Sequence, residues 1–316
     1  MYDKDSKGIS WTAGFFMLIA FAVAANVLAF IISKPIWFAM TGIDFSKMLE
    51  ASADPANRDA ARVVQCISAV VGLLLPALVT AFVLNRKPAR LLGFSQRING
   101  KQAGLVCAIM LSAMFALGFF SYVNNHIPIS ESLKQQFDKM ETENIRQTEA
   151  ILGLNNIQDY LISLFIIGFL PALCEEALFR GGLQNFLTRS TMKPWLSIIV
   201  VSILFSALHF SFYGFLPRLF LGVMLGALYH YSGSIWLSII AHFFNNALVV
   251  TVVYIQKQQG TSIPEAMGQG NSSWLGVFAL PVVIALLMVF KKITVKPKEV
   301  SDGAGKNEEL RNTPFY

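Results

Sequence analysis

Apolar runs at 9–33, 62–84, 103–123, 157–173, 195–212, 216–231, 235–255 and 274–290 divide this chain, and they leave it few folds. A transmembrane helix needs about 20 predominantly apolar residues. In hydrocarbon, every backbone polar group must be satisfied inside the protein. The expected fold is therefore all-α: a polytopic transmembrane helix bundle of about eight spans. Composition agrees, at 54% hydrophobic and 14% charged residues, against about 25% charged in soluble domains.

The first run passes Ala22-Val23-Ala24, which resembles a signal-peptide cleavage site, but it continues well beyond it. A retained helix is the better reading. The net charge of +6 calls for no nucleic acid, because the basic residues sit between apolar runs. Arg86, Lys87, Arg90, Arg97 and Lys101 share one loop with no acid, and Lys291, Lys292, Lys296 and Lys298 follow the last run. The positive-inside rule places both regions in the cytoplasm. Eight spans then put both termini there. The segment 124–156, with charges of alternating sign, reads as an exposed or interfacial helix. The tail 297–316 reads as disordered. The expected divisions are N-terminal spans and polar loop at 1–156, a catalytic core at 157–256, a last span at 257–290 and a basic tail at 291–316. Cys66, Cys107 and Cys174 form no CxxC and are odd in number, which argues against a disulfide framework or a thiolate site.

Charge inside a span is the second constraint. The run 157–173 ends at Glu175 and Glu176, with Arg180 following. A charge in a span costs roughly 2.5–3.5 kcal/mol on insertion scales, so it persists only when paired, hydrated or used. Glu176 and Arg180 are an i,i+4 pair in the favourable order. Glu175 points about 100° away with no partner in its own helix. Pro171 frees a backbone carbonyl one turn earlier, and Gly181-Gly182 either ends a helix or admits close backbone approach.

Four histidines occur: His126 in a loop, and His209, His230 and His242 in apolar runs. Histidine in a membrane helix usually faces the bundle interior. His209 follows Phe205 by one turn, and His242 shares a face with Asn246. His230, between two tyrosines, reads as interfacial. Asn245 faces elsewhere and is free to pair with backbone. Gly222 and Gly226 form a small-xxx-small face for close helix packing. A carboxylate, two imidazoles and an amide suit water activation and oxyanion stabilisation. A proton-coupled transporter uses similar residues as a relay, and these residue types alone do not separate the two.

The order and spacing of Glu175-Glu176-x-x-x-Arg180, Phe205-x-x-x-His209 and His242-x-x-x-Asn246 resemble the three motifs of the CAAX-protease and bacteriocin-processing (CPBP, or Abi) intramembrane endopeptidases. Gly222 and Gly226 fit the same pattern, and the resemblance covers about 152–250. It implies hydrolysis of a peptide bond in a membrane-associated peptide or protein, at a bilayer and in a bacterial inner membrane. It implies Glu175 as the base that activates water and His209 as the group that holds that water. His242 and Asn246 would bind the oxyanion, with Glu176, Arg180 and Phe205 bracing the site. The alternative is a noncatalytic transporter or a bacteriocin-immunity scaffold of the same fold. No cofactor is expected. The competing metal reading is a zinc ion held by Glu175, His209 and His242. Against it stand the absence of HExxH and the amide of Asn246, a poor zinc ligand.

Overall fold

The computed structural model describes residues 4–268 and 272–294. The expected disordered tail, with Lys296 and Lys298, lies outside them. The long helices are α1 (Trp11–Thr41), α2 (Pro55–Leu84), α3 (Gly100–Asn125), α4 (Glu131–Leu152), α5 (Ile157–Thr191), α6 (Pro194–Ala207), α7 (Phe215–Ser232), α8 (Ile235–Gln258) and α9 (Trp274–Thr294). Among the described residues there is no strand, only an isolated bridge between Ser6 and Asn85. The protein is an all-α polytopic membrane bundle.

Local chemistry sets the helix ends. The Ser10 hydroxyl caps α1 by accepting from the Ala13 N–H. Asn99 and Gln102 form a reciprocal capping box on α3, satisfying two N–H groups that a helix start leaves orphaned. Asn156 caps α5, and Gly233 ends α7 in the left-handed region at φ 63°. α4 is the expected exposed polar helix. Lipid-facing surface remains bare: Phe16, Phe82, Phe115 and Phe278 are each more than 60% exposed.

α5 is the axis of the bundle and packs against α1, α2, α6, α7 and α8. Around it Leu18, Leu84, Phe179, Phe186, Phe205 and Tyr229 form the main core. A second core joins α3, α7, α8 and α9 through Ile109, Met110, Leu225, Leu237 and Phe290. Contacts sort the helix ends onto two faces. On one face Asp5 pairs with Lys87 at 3.4 Å and Arg90 at 3.7 Å. The Trp236 indole donates there to the Phe94 carbonyl, and Lys291 lies over the Tyr231 ring. The opposite face holds α4, the start of α5, the α6–α7 turn and the end of α8.

Two expectations change. Among the described residues six helices, not eight, are long and apolar enough to cross a membrane by length and composition: α1, α2, α3, α5, α8 and α9. α6 has only 14 residues, roughly 21 Å at 1.5 Å per residue, because the chain turns between 208 and 214, with Phe210 at φ 49°. α7 has 18 residues and carries both Arg218 and His230. Second, Gly181-Gly182 ends no helix, since α5 runs on to Thr191. The glutamate pair therefore sits near the middle of a 35-residue rod, not at its end. His230, near the end of α7, is covered by protein at 9% exposure.

Candidate active site

Two prolines shape the helices beneath the site. A proline lacks an N–H and its ring clashes with the carbonyl four residues earlier. In α2, Pro76 follows a wide π-turn at Val70–Leu74. In α5, Pro171 follows another at Leu164–Phe169. The freed carbonyls are Gly72 and Ile167, and each is caught by an asparagine on a neighbouring helix. Asn26 Nδ2 donates to the Gly72 carbonyl at 3.1 Å. Asn246 Nδ2 donates to the Ile167 carbonyl at 3.3 Å. A third π-turn, Ala177–Gln184, begins directly after Glu176. Such π-turns are rare and often mark functional sites.

Glu176 and Arg180 keep their i,i+4 contact through the wide turn. Both are fully buried, with Arg180 Nη1 donating to Glu176 Oε1 at 2.8 Å. Arg180 Nη2 donates to the Gly222 carbonyl at 3.1 Å. One turn on, Gln184 Nε2 donates to the Gly226 carbonyl at 2.9 Å. The glycine face of α7 thus does more than allow close packing. Without side chains it presents two carbonyls to two polar groups of matching spacing on α5. A Cβ at Gly226 would stand 2.7 Å from Gln184 Oε1. Gln184 was not among the expected site residues. The signal was there, since Arg180/Gln184 and Gly222/Gly226 share the i,i+4 interval.

His242 joins the two carboxylates. Its Nδ1 lies 3.0 Å from Glu176 Oε1, and its Nε2 lies 3.9 Å from Glu175 Oε2. Glu176 therefore meets two basic groups. Glu175 Oε2 is buried without a hydrogen-bond partner. Phe205 is the hub between motifs. The Arg180 guanidinium sits 4.6 Å from its ring centre, His209 packs edge-on at 4.9 Å and His242 at 5.9 Å. His209 Nδ1 is 2.6 Å from the Phe205 carbonyl, so Nδ1 carries the proton and Nε2 is free to accept.

Glu175 and His209 open on one cavity of about 900 Å³. Its other walls are mostly apolar and include Leu18, Val23 and Phe30 of α1. The fold thus gathers Glu175, Glu176, Arg180, Phe205, His209 and His242. Asn246 lies one turn along α8, its amide on Ile167. Asn245 does not pair with backbone; its Nδ2 donates to Asn246 Oδ1 at 3.2 Å. Among the described residues no three His, Cys, Asp or Glu side chains come together as a set that could hold a metal ion.

Residues 157–248 match the family model described as Rce1-like, type II CAAX prenyl endopeptidase. The segment starts where α5 starts and contains every motif residue described above. This is a CAAX-protease (CPBP) family domain. The match over this segment supports an intramembrane endopeptidase in general, and the apolar helices support an integral membrane protein. No curated protein and no solved structure gives a significant match to the chain. Within the CAAX-protease domain the paired acids lie on α5, Phe205 and His209 at the end of α6, and His242 and Asn246 on α8. α1 and α2, outside the matched segment, complete the cavity wall through Leu18 and Leu73.

Proposed function

We propose that this protein hydrolyses a peptide bond of a membrane-associated substrate with water activated by Glu175. The observation that carries the proposal is the division between the two acids. Glu176 accepts from Arg180 and lies against His242 through Oε1 and is kept off the cavity, whereas Glu175 has no hydrogen-bonded partner on Oε2 and lines the cavity together with His209.

Water held between Glu175 and His209 Nε2 attacks the carbonyl carbon. Its proton passes to Glu175, a C–O bond forms and the carbonyl oxygen becomes an oxyanion. His242, acting as an imidazolium whose Nδ1–H is held by the Glu176 carboxylate, donates its Nε2–H to that oxyanion, joined by the second amide proton of Asn246. The carbon–nitrogen bond then breaks, and Glu175 returns the proton to the leaving amine. Such donors act strongly where water is excluded, typically worth 10²–10³ in rate each. Glu176, Arg180 and Phe205 hold His242 and His209 in place. The mechanism assigns no metal and no cofactor.

The apolar cavity beside Glu175 suits a substrate carrying a lipid chain, in keeping with the prenyl endopeptidases that the family model describes. The test is cleavage by purified protein of membrane-tethered peptides, half of them S-farnesylated. We expect cleavage of the farnesylated set, lost in Glu175→Gln. No cleavage of any peptide by wild type, with protein shown to be folded, would overturn the reading.

A further inference from the structure

Asn26 of α1 lies outside the matched segment and belongs to none of the three motifs, yet it lines the cavity. Of the described side chains lining that cavity, only Asn26, Glu175 and His209 carry polar atoms. A polar side chain in a span is costly and calls for a use. Part of that use is the Gly72 carbonyl freed by Pro76. Asn26 Nδ2 donates to the Ala22 carbonyl at 2.8 Å and to the Gly72 carbonyl at 3.1 Å. These bonds take up both amide protons. They also fix the amide's orientation, since a flipped amide would set Oδ1 against two carbonyl oxygens. Oδ1 accepts from no donor among the described residues. The backbone leaves it room: a Cβ on Gly72 would stand 2.8 Å from Oδ1. The wall of the cavity thus carries an oriented acceptor whose donor is missing.

A peptide entering an apolar cavity brings its backbone N–H groups out of water, and each needs an acceptor. In the mechanism above, Glu175 and His209 Nε2 hold the attacking water. Asn26 Oδ1 is the side-chain acceptor that remains. We propose that Asn26 accepts a hydrogen bond from a backbone N–H of the substrate and thereby sets which peptide bond faces Glu175. Asn246 keeps a donor for the scissile carbonyl and Asn26 keeps an acceptor, and a peptide main chain needs both. Recognition of this kind reads main chain, not side chain. The inference rests on the endopeptidase reading above, extending it from reaction to substrate register.

The test uses full-length protein in nanodiscs and a set of S-farnesylated peptides of one sequence. In each, one backbone amide other than the scissile one is replaced by an ester, which removes a single N–H. Binding is measured on Glu175→Gln protein, so it needs no turnover, and KM on active protein. Asn26→Leu removes the acceptor but also strands the Gly72 carbonyl. It is therefore combined with Pro76→Ala, which returns an N–H to that carbonyl, and Pro76→Ala alone is the reference. We expect one ester position to bind about tenfold worse than the all-amide peptide whenever Asn26 is present, as loss of one hydrogen bond allows. The double variant should bind the all-amide peptide about tenfold worse than the reference does, and that one ester should cost it nothing further. Equal binding of all the esters by protein carrying Asn26 would overturn the proposal. So would an ester penalty that persists without Asn26. An equal loss on every peptide in the double variant, that ester included, would also overturn it, because a purely structural role at Gly72 gives that result. A penalty at one position with no cleavage of any peptide would count against the endopeptidase reading alone.

Discussion

Glu175 and Glu176 are chemically identical neighbours, and their surroundings separate them. Removing Arg180 leaves Glu176 charged, fully buried and facing only His242. Losing one partner of a buried pair typically costs about 3–5 kcal/mol. Arg180→Ala should therefore lower stability by that order as well as abolish cleavage. Glu175→Gln should abolish cleavage with little change in melting temperature, because its side chain is partly exposed at 16% and makes no ion pair closer than 3.9 Å. Thermal melts of both variants in one detergent check this, and the reverse pattern would exchange the two roles. The metal question also belongs at this scale. Elemental analysis of active protein, with activity after exhaustive chelation, should show no stoichiometric zinc and no loss. Zinc that restores lost activity would move Glu175, His209 and His242 into a ligand set.

Among the elements, α4 has a task its sequence does not announce. It grips the turn that carries His209. Ser211 Oγ donates to Glu141 at 2.7 Å, the Tyr213 hydroxyl donates to Asp138, and Phe137 stacks on Phe212 with centres 4.4 Å apart. The hydrogen bond to Asp138 pushes the Tyr213 hydroxyl up to about 12, above the ordinary value near 10. Its neutral form is thus the one the fold favours. That stability is present below pH 10 and fades only as pH rises toward 12, so the grip holds through the physiological range. Replacing Asp138 and Glu141 together by alanine should cost about 2–6 kcal/mol, at roughly 1–3 per hydrogen bond to a charged group. It should also speed hydrogen exchange at 208–214, slow turnover and leave exchange in α5 unchanged. Unchanged exchange at 208–214 would remove α4 from any role in placing His209.

For the whole molecule, the two faces of the bundle carry different charge. Lys7, Lys87, Arg90 and Lys291 gather on the face where the N-terminal segment meets the 85–99 loop, and the acidic α4 caps the other. We therefore expect the basic face in the cytoplasm. In protein whose native cysteines have been replaced, Lys139→Cys should react with an impermeant thiol reagent in intact cells. Arg97→Cys should react only after permeabilisation. Reversed labelling would invert the molecule and turn the α4 face inward.

Sequence alone determined the membrane bundle, because uninterrupted apolar runs have few other ways to satisfy their backbone. It also determined that Glu176 pairs with Arg180 and that Glu175 does not, because i,i+4 geometry is local. Phe205 and His209 were linked for the same reason. What it could not set were distances between helices. The contact of His242 with both acids and the meeting of Gln184 with Gly226 depend on how α5, α7 and α8 cross. Pro171 advertised a freed carbonyl, but only packing showed that Asn246 receives it. The short α6 was hidden by an apolar run that continues through its end to Phe212, since hydropathy does not register a turn that buries its own polar groups. Tertiary structure made that turn, and with it brought His209 to the cavity that Glu175 lines.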